Sequence, residues 1–221
     1  MNLNKIEESV VNFINSIPSK VTLVAAAKTR TPLEVQTAIH AGIKIIGYNY
    51  LQEAELMHKF IGNVVQWHMI GHLQRNKVKK AVKLFDMIET IDSLKLAVAI
   101  NKQCENEGTI MPVLIEINSG RESNKTGVLP ENVEDLIKDL RNLHYLKIQG
   151  LMTMGPRFGN PEDARPYFKA TKKAFDQLKK MDITNVDMRY LSMGMSNSYK
   201  IAIEEGANII RIGTTLFGGR N

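Results

Sequence analysis

The chain has 221 residues, enough for one sizeable core and few for two domains. Its 43% hydrophobic and 24% charged residues are those of an ordinary soluble globular protein, and a net charge of +6 is too modest to mark a nucleic-acid or membrane binder. A single cysteine, Cys104, excludes an internal disulfide and any multi-cysteine metal site, and it fits a reducing compartment.

The opening MNLNKIEESV lacks the apolar run of a signal peptide, and no stretch is long enough to span a bilayer, so a cytoplasmic protein is expected. An amphipathic helix is predicted over about residues 2–16. After it, apolar and β-branched runs recur as strands: VTLVAAA (21–27), IKIIGY (43–48), VVQWHMIG (64–71), LFDMIET (84–90), MPVLIEIN (111–118), LKIQGLMTM (146–154), MRYLSMG (188–194) and NIIRIGT (208–214).

Helical patterns lie between them. TPLEVQTAIHAG offers Thr31 as N-cap, Pro32 in the first turn and Gly42 as a stop. DSLKLAVAINKQCENEG has Asp92 or Ser93 as cap and Gly108 as terminator; LPENVEDLIKDL, NPEDARPYFKATKKAFDQLKK and SNSYKIAIEEG follow the same grammar. The basic run QRNKVKKAVK (74–83) carries no interleaved aromatics and reads as a solvated helix face. Eight near-equal strand–helix units without a GxGxxG turn favour a single-domain (β/α)₈ TIM barrel over residues 1–221, with a doubly wound open sheet as the rival.

In such a barrel, chemistry sits at the carboxyl ends of the strands, often with phosphate held after strands seven and eight. Those two ends read LSMGMSNS (191–198) and RIGTTLFGG (211–219), rich in glycine and hydroxyl residues that let backbone N–H groups approach an anion. Ser196 or Asn197 is expected to cap the helix after strand seven. Strand alternation puts Ile209, Arg211 and Gly213 on one face. Arg211 must then either meet a carboxylate at the rim or donate to a ligand, because an unpaired buried guanidinium is costly. Lys28 ends strand one, which neighbours strand eight on closure. It is either a solvated lysine or an imine-forming amine beside the phosphate site, with Arg30 and Arg211 as neighbouring cations. Asn49 follows strand two and is placed to touch a ring. Lys125, in the loop after strand five, reads as a surface lysine. His68 and His72 lie on a strand, where four residues span about 13 Å, so no metal site is expected there.

Taken together, AAAKTRTP, GYNYLQEA, WHMIGHLQRNK, INSGRESNKTG, GLMTMGP, LSMGMSNSY and EGANIIRIGTTLFGGR resemble the pyridoxal phosphate homeostasis proteins, single-domain relatives of the alanine racemase barrel. The resemblance covers nearly the whole chain. It implies a fold-type III barrel in which Lys28 holds pyridoxal 5′-phosphate as an internal aldimine. It implies that Ser192, Gly194 and Ser196, with Gly213 and Thr214, cradle the phosphate, that Arg211 donates to the pyridine nitrogen, and that Asn49 lies near the ring. The chain departs from the family at Tyr48, where members commonly have Glu, and at Ala26 and Ala27, where the lysine motif often reads VSK.

Alanine racemase follows its barrel with a β-rich domain that supplies an opposing catalytic tyrosine, and a chain stopping at Asn221 leaves no room for one. The expectation is therefore a monomeric protein that stores pyridoxal phosphate and delivers it to apo-enzymes, with no catalytic residue assigned. A weak amino-acid racemase and a lysine-imine aldolase are the rival readings.

Overall fold

The computed structural model describes residues 3–123, 125–156 and 159–219. All eight predicted strands form, and they pair parallel in chain order into a closed barrel, which rules out the open sheet. The order is α1 (Leu3–Ser16), β1 (Thr22–Ala26), α2 (Pro32–His40), β2 (Ile45–Tyr48), α3 (Leu51–Ile61), β3 (Gln66–Met69), α4 (Val78–Leu84), β4 (Met87–Ile91) and α5 (Leu94–Glu107). It continues with β5 (Met111–Ile117), α6 (Val133–Leu140), β6 (Leu146–Thr153), α7 (Arg165–Leu178), β7 (Val186–Ser192), α8 (Tyr199–Glu204), β8 (Ile209–Ile212) and α9 (Thr214–Phe217). The seam closes as β8 pairs with β1, Val24 facing Arg211 and Ala25 facing Ile212.

Local chemistry sets the helix ends. Thr31 caps α2 through a reciprocal box: its side chain accepts from the Glu34 N–H, and Glu34 Oε2 accepts from the Thr31 N–H at 2.8 Å. Pro32 occupies the first turn, but the helix ends at His40, before Gly42, which turns the chain at φ +117°. Ser93, not Asp92, caps α5, and Gly108 ends it in the left-handed conformation. The basic run becomes α4, which buries Val78, Ala81 and Val82 and leaves Lys79, Lys80 and Lys83 exposed.

Alternation divides each strand between two cores. Outward residues such as Ile46, Tyr48, Trp67, Ile88, Ile115 and Ile212 join the helices in one large cluster. Inward residues fill the barrel in two small apolar groups, one around Val24, Ile70 and Ile209, the other around Met87, Leu114 and Met152, with Tyr190 against both. Other inward positions are polar: His68, Glu89, Ser192 and Arg211 are all buried. No helix among the described residues is long and apolar enough to cross a membrane.

Candidate functional site

The seam between β1 and β8 brings the first and last strand ends together. After β1, the Arg30 N–H donates to the Ala27 carbonyl at 3.2 Å, closing a turn with half-buried Lys28 and exposed Thr29 at its centre. After β8, Gly213 leads directly into α9, and a Cβ placed on Gly213 would lie 3.3 Å from the Ala26 carbonyl oxygen. The Ser196 hydroxyl, from the loop after β7, accepts the N–H groups of Gly213 (3.3 Å) and Thr215 (3.4 Å). Two backbone donors thus converge on one oxygen beside the end of β1, an arrangement that suits an anionic oxygen as well as a hydroxyl.

The expected helix cap changes here. Ser196 and Asn197 do not cap α8; the helix begins at Tyr199, with Ser198 in the cap position and no side-chain cap bond. Ser196 is turned to the seam, and Asn197 donates to the Gly159 carbonyl at 3.3 Å. Gly194 serves the backbone: at φ +89°, a Cβ there would sit 2.6 Å from Ala202 Cβ, so the glycine allows the turn and the close packing of α8.

Arg211 meets neither rim nor solvent. It lies 4% exposed inside the barrel, where Nη1 donates to Ser192 Oγ at 2.5 Å and Nη2 to the Thr153 carbonyl at 2.8 Å. Glu89 Oε2 is 3.9 Å from Nη1 and accepts from the Ser192 hydroxyl at 2.6 Å, while Oε1 lies 2.7 Å from His68 Nδ1. The Ser192 hydroxyl, assigned by resemblance to the phosphate, is therefore committed to this interior chain as both donor and acceptor.

Burial works to raise the Glu89 pKa, but hydrogen bonding to His68 and the charges of His68 and Arg211 outweigh it and hold the carboxyl below its usual range. Burial lowers the Arg211 pKa, opposed by Glu89 and Glu116; a guanidinium starts high enough to stay protonated regardless. Arg211 thus ties β8 to β7, β6 and β4, and through Glu89 to β3.

The rest of the mouth is polar. Asn49 follows β2, and the loop after β3 passes directly over it: a Cβ on Gly71 would fall 2.4 Å from the Asn49 carbonyl oxygen. Only glycine fits that crossing. His72 pairs with Asp92 at 3.1 Å, and Lys125 donates to Glu122 at 2.5 Å. Thr126 donates to the buried Glu116 carboxyl, whose pKa burial pushes up. Tyr48 turns outward and stacks on Trp67 at 5.8 Å. Burial, then the charge of Glu53, pushes its phenol pKa up. Among the described residues, no group of three or more His, Cys, Asp or Glu could hold a metal ion.

Sequence reasoning missed Glu89 and Thr153. The signal for Glu89 was available: MIETI is a fully buried strand with an acid at an inward position, and Arg211 required an anion. Thr153 contributes only a backbone carbonyl, which no side-chain pattern announces.

The family model of the alanine racemase N-terminal domain matches residues 1–221. A pyridoxal phosphate homeostasis protein of Aquifex aeolicus (strain VF5) is 41% identical over 199 residues, covering 90% of this chain and 86% of that one. The chain belongs to the pyridoxal phosphate homeostasis protein family. A second member, from Haemophilus influenzae, is 34% identical and aligns over 100% of this chain and 95% of its own length. The solved structure of PipY from Synechococcus elongatus PCC7942 with pyridoxal phosphate bound is 28% identical, covers 96% of this chain and 100% of that one, and superposes with a TM-score of 0.88. Alanine racemase from Clostridium difficile 630, at 18% identity and a TM-score of 0.80, shares the barrel of this family over 57% of its length.

Proposed function

We propose that this chain holds pyridoxal 5′-phosphate through Lys28 and serves intracellular homeostasis of that cofactor, storing it and passing it to apo-enzymes. The observation that carries the reading is the β1–β8 seam, where an amine-bearing turn on one side faces two convergent backbone N–H groups on the other. An aromatic aldehyde bearing a phosphate needs those two features and a polar partner for its ring, and the residues present fit it.

When bound, pyridoxal phosphate supplies an aldehyde that condenses with amines and a ring that can act as an electron sink. The chain's own groups do the rest. Lys28 offers the amine. Ser196, Gly213, Thr214 and the Thr215 N–H take the phosphate oxygens. Arg211 is held by Ser192, Thr153 and Glu89, and a guanidinium that does not release its proton leaves a facing ring nitrogen as an unprotonated acceptor. Such a ring is a weak sink, which suits holding more than turnover. Asn49 supplies an amide near the ring. The single cysteine, buried and unbridged, accords with a cytoplasmic setting, and the proposed working state is a monomer.

The test is the visible spectrum of the purified protein before and after borohydride, with the labelled peptide mapped. The expected result is a yellow protein whose trapped label falls on Lys28 and is lost in Lys28→Ala. A preparation that stays colourless after soaking in excess cofactor, with no label trapped, overturns the reading.

A further inference from the structure

The turn that carries Lys28 contains a conformational anomaly. Ala27 to Arg30 is closed by the Arg30 N–H, and Thr29, third of the four residues, has φ +64°. A positive φ at that position is what a type II turn requires, and glycine normally supplies it. A β-branched residue there is strained and persists only where its surroundings over-determine it.

The surroundings can be named. On the β8 side, Arg30 donates to the Gly218 carbonyl at 2.6 Å and lies over the Phe217 ring at 5.5 Å, while Thr31 is locked in its capping box. On the β2 side, Glu53, in the first turn of α3, accepts the Thr29 N–H at 3.3 Å. The turn's own hydrogen bond uses the Arg30 N–H, so the Thr29 N–H is satisfied by this carboxylate.

We propose that Glu53 is a positioning residue of the lysine site: by holding the Thr29 amide it keeps the strained turn in the one conformation that presents Lys28 to the seam. The proposal rests on the reading of Lys28 given above. A carboxylate in the first turn of α3 would also favour that helix through its dipole, so the test must separate the two roles.

Glycine at position 29 does so, because it takes positive φ without support. Four proteins are compared: wild type, Glu53→Gln, Thr29→Gly and the double variant. Pyridoxal phosphate is titrated by absorbance, and exchange of the Thr29 amide is followed by NMR in the unloaded proteins. Glu53→Gln is expected to weaken cofactor affinity about fivefold and speed Thr29 amide exchange by a similar factor, as loss of a partly exposed charged hydrogen bond implies. On the Thr29→Gly background the same substitution should change affinity less than about twofold. Equal losses on both backgrounds, or no loss on either, overturn the proposal and leave Glu53 as a helix-end residue. Should the wild type itself capture no cofactor, the reading of the site falls instead, and amide exchange still decides the turn: acceleration in Glu53→Gln supports the positioning role, and unchanged exchange overturns it.

Discussion

Replacing Glu89 with Gln isolates the charge that sits opposite Arg211. At 3.9 Å, an effective dielectric of about 20 gives an attraction of about 4 kcal/mol. Removing one member of a buried pair typically costs about 3–5 kcal/mol, because the other charge is left uncompensated. Gln keeps an acceptor for Ser192, and Glu116 also acts on Arg211, so the lower end applies. The expected loss is about 3 kcal/mol, or a melting temperature roughly 6–12 °C lower for a chain of this size.

Thermal and urea unfolding of the unloaded protein measure it without involving any ligand. The pH dependence has a fixed sign. Glu89 has a folded-state pKa below its unfolded value, so its contribution is present above the unfolded pKa and is lost as pH falls through the folded one. The gap between wild type and Glu89→Gln should therefore narrow in acid. Adding Arg211→Met to Glu89→Gln should cost at least about 2 kcal/mol less than the two single changes summed. A Glu89→Gln melt within about 2 °C of wild type, or strictly additive losses, would refute the claim that these two charges hold one another.

Tyr48 and Glu116 give two further tests. The buried Tyr48 hydroxyl has no hydrogen-bond partner among the described residues, so Tyr48→Phe should raise stability by about 1 kcal/mol in urea unfolding; a destabilised variant would show that the hydroxyl is satisfied. Glu116 has a raised folded-state pKa, so the stability it contributes is present below its unfolded pKa and is lost as pH rises through the folded one. Glu116→Gln should match wild type near pH 4 and become the more stable protein towards pH 8, and urea midpoints that stay parallel across that range would contradict the assignment.

The barrel was legible because each strand announces itself as a β-branched run between capping residues; Thr31, Ser93 and Gly108 all mark helix ends where local rules place them. The seam was legible for the same reason, since strand order alone sets the end of β1 beside Gly213. What escaped was long-range pairing. The Glu89–Ser192 bond joins residues 103 apart, and strand alternation can say that each points inward without saying that they meet. The capping error at Ser196 has a similar origin: a serine just ahead of a helix satisfies the local rule, but the N–H groups of Gly213 and Thr215 compete for its oxygen. Nothing in KTR signals that Thr29 takes a glycine's backbone angle, because only the packed turn enforces it.

The division of the site between the first strand and the last has a consequence for the order of events during synthesis. Lys28 leaves the ribosome early, but β8, which pairs with β1 to close the barrel, is the last strand to emerge, more than 160 residues later. On the function proposed above, loading is reserved for chains that have closed the β1–β8 seam, and a ligand that binds only the closed barrel opposes its unravelling.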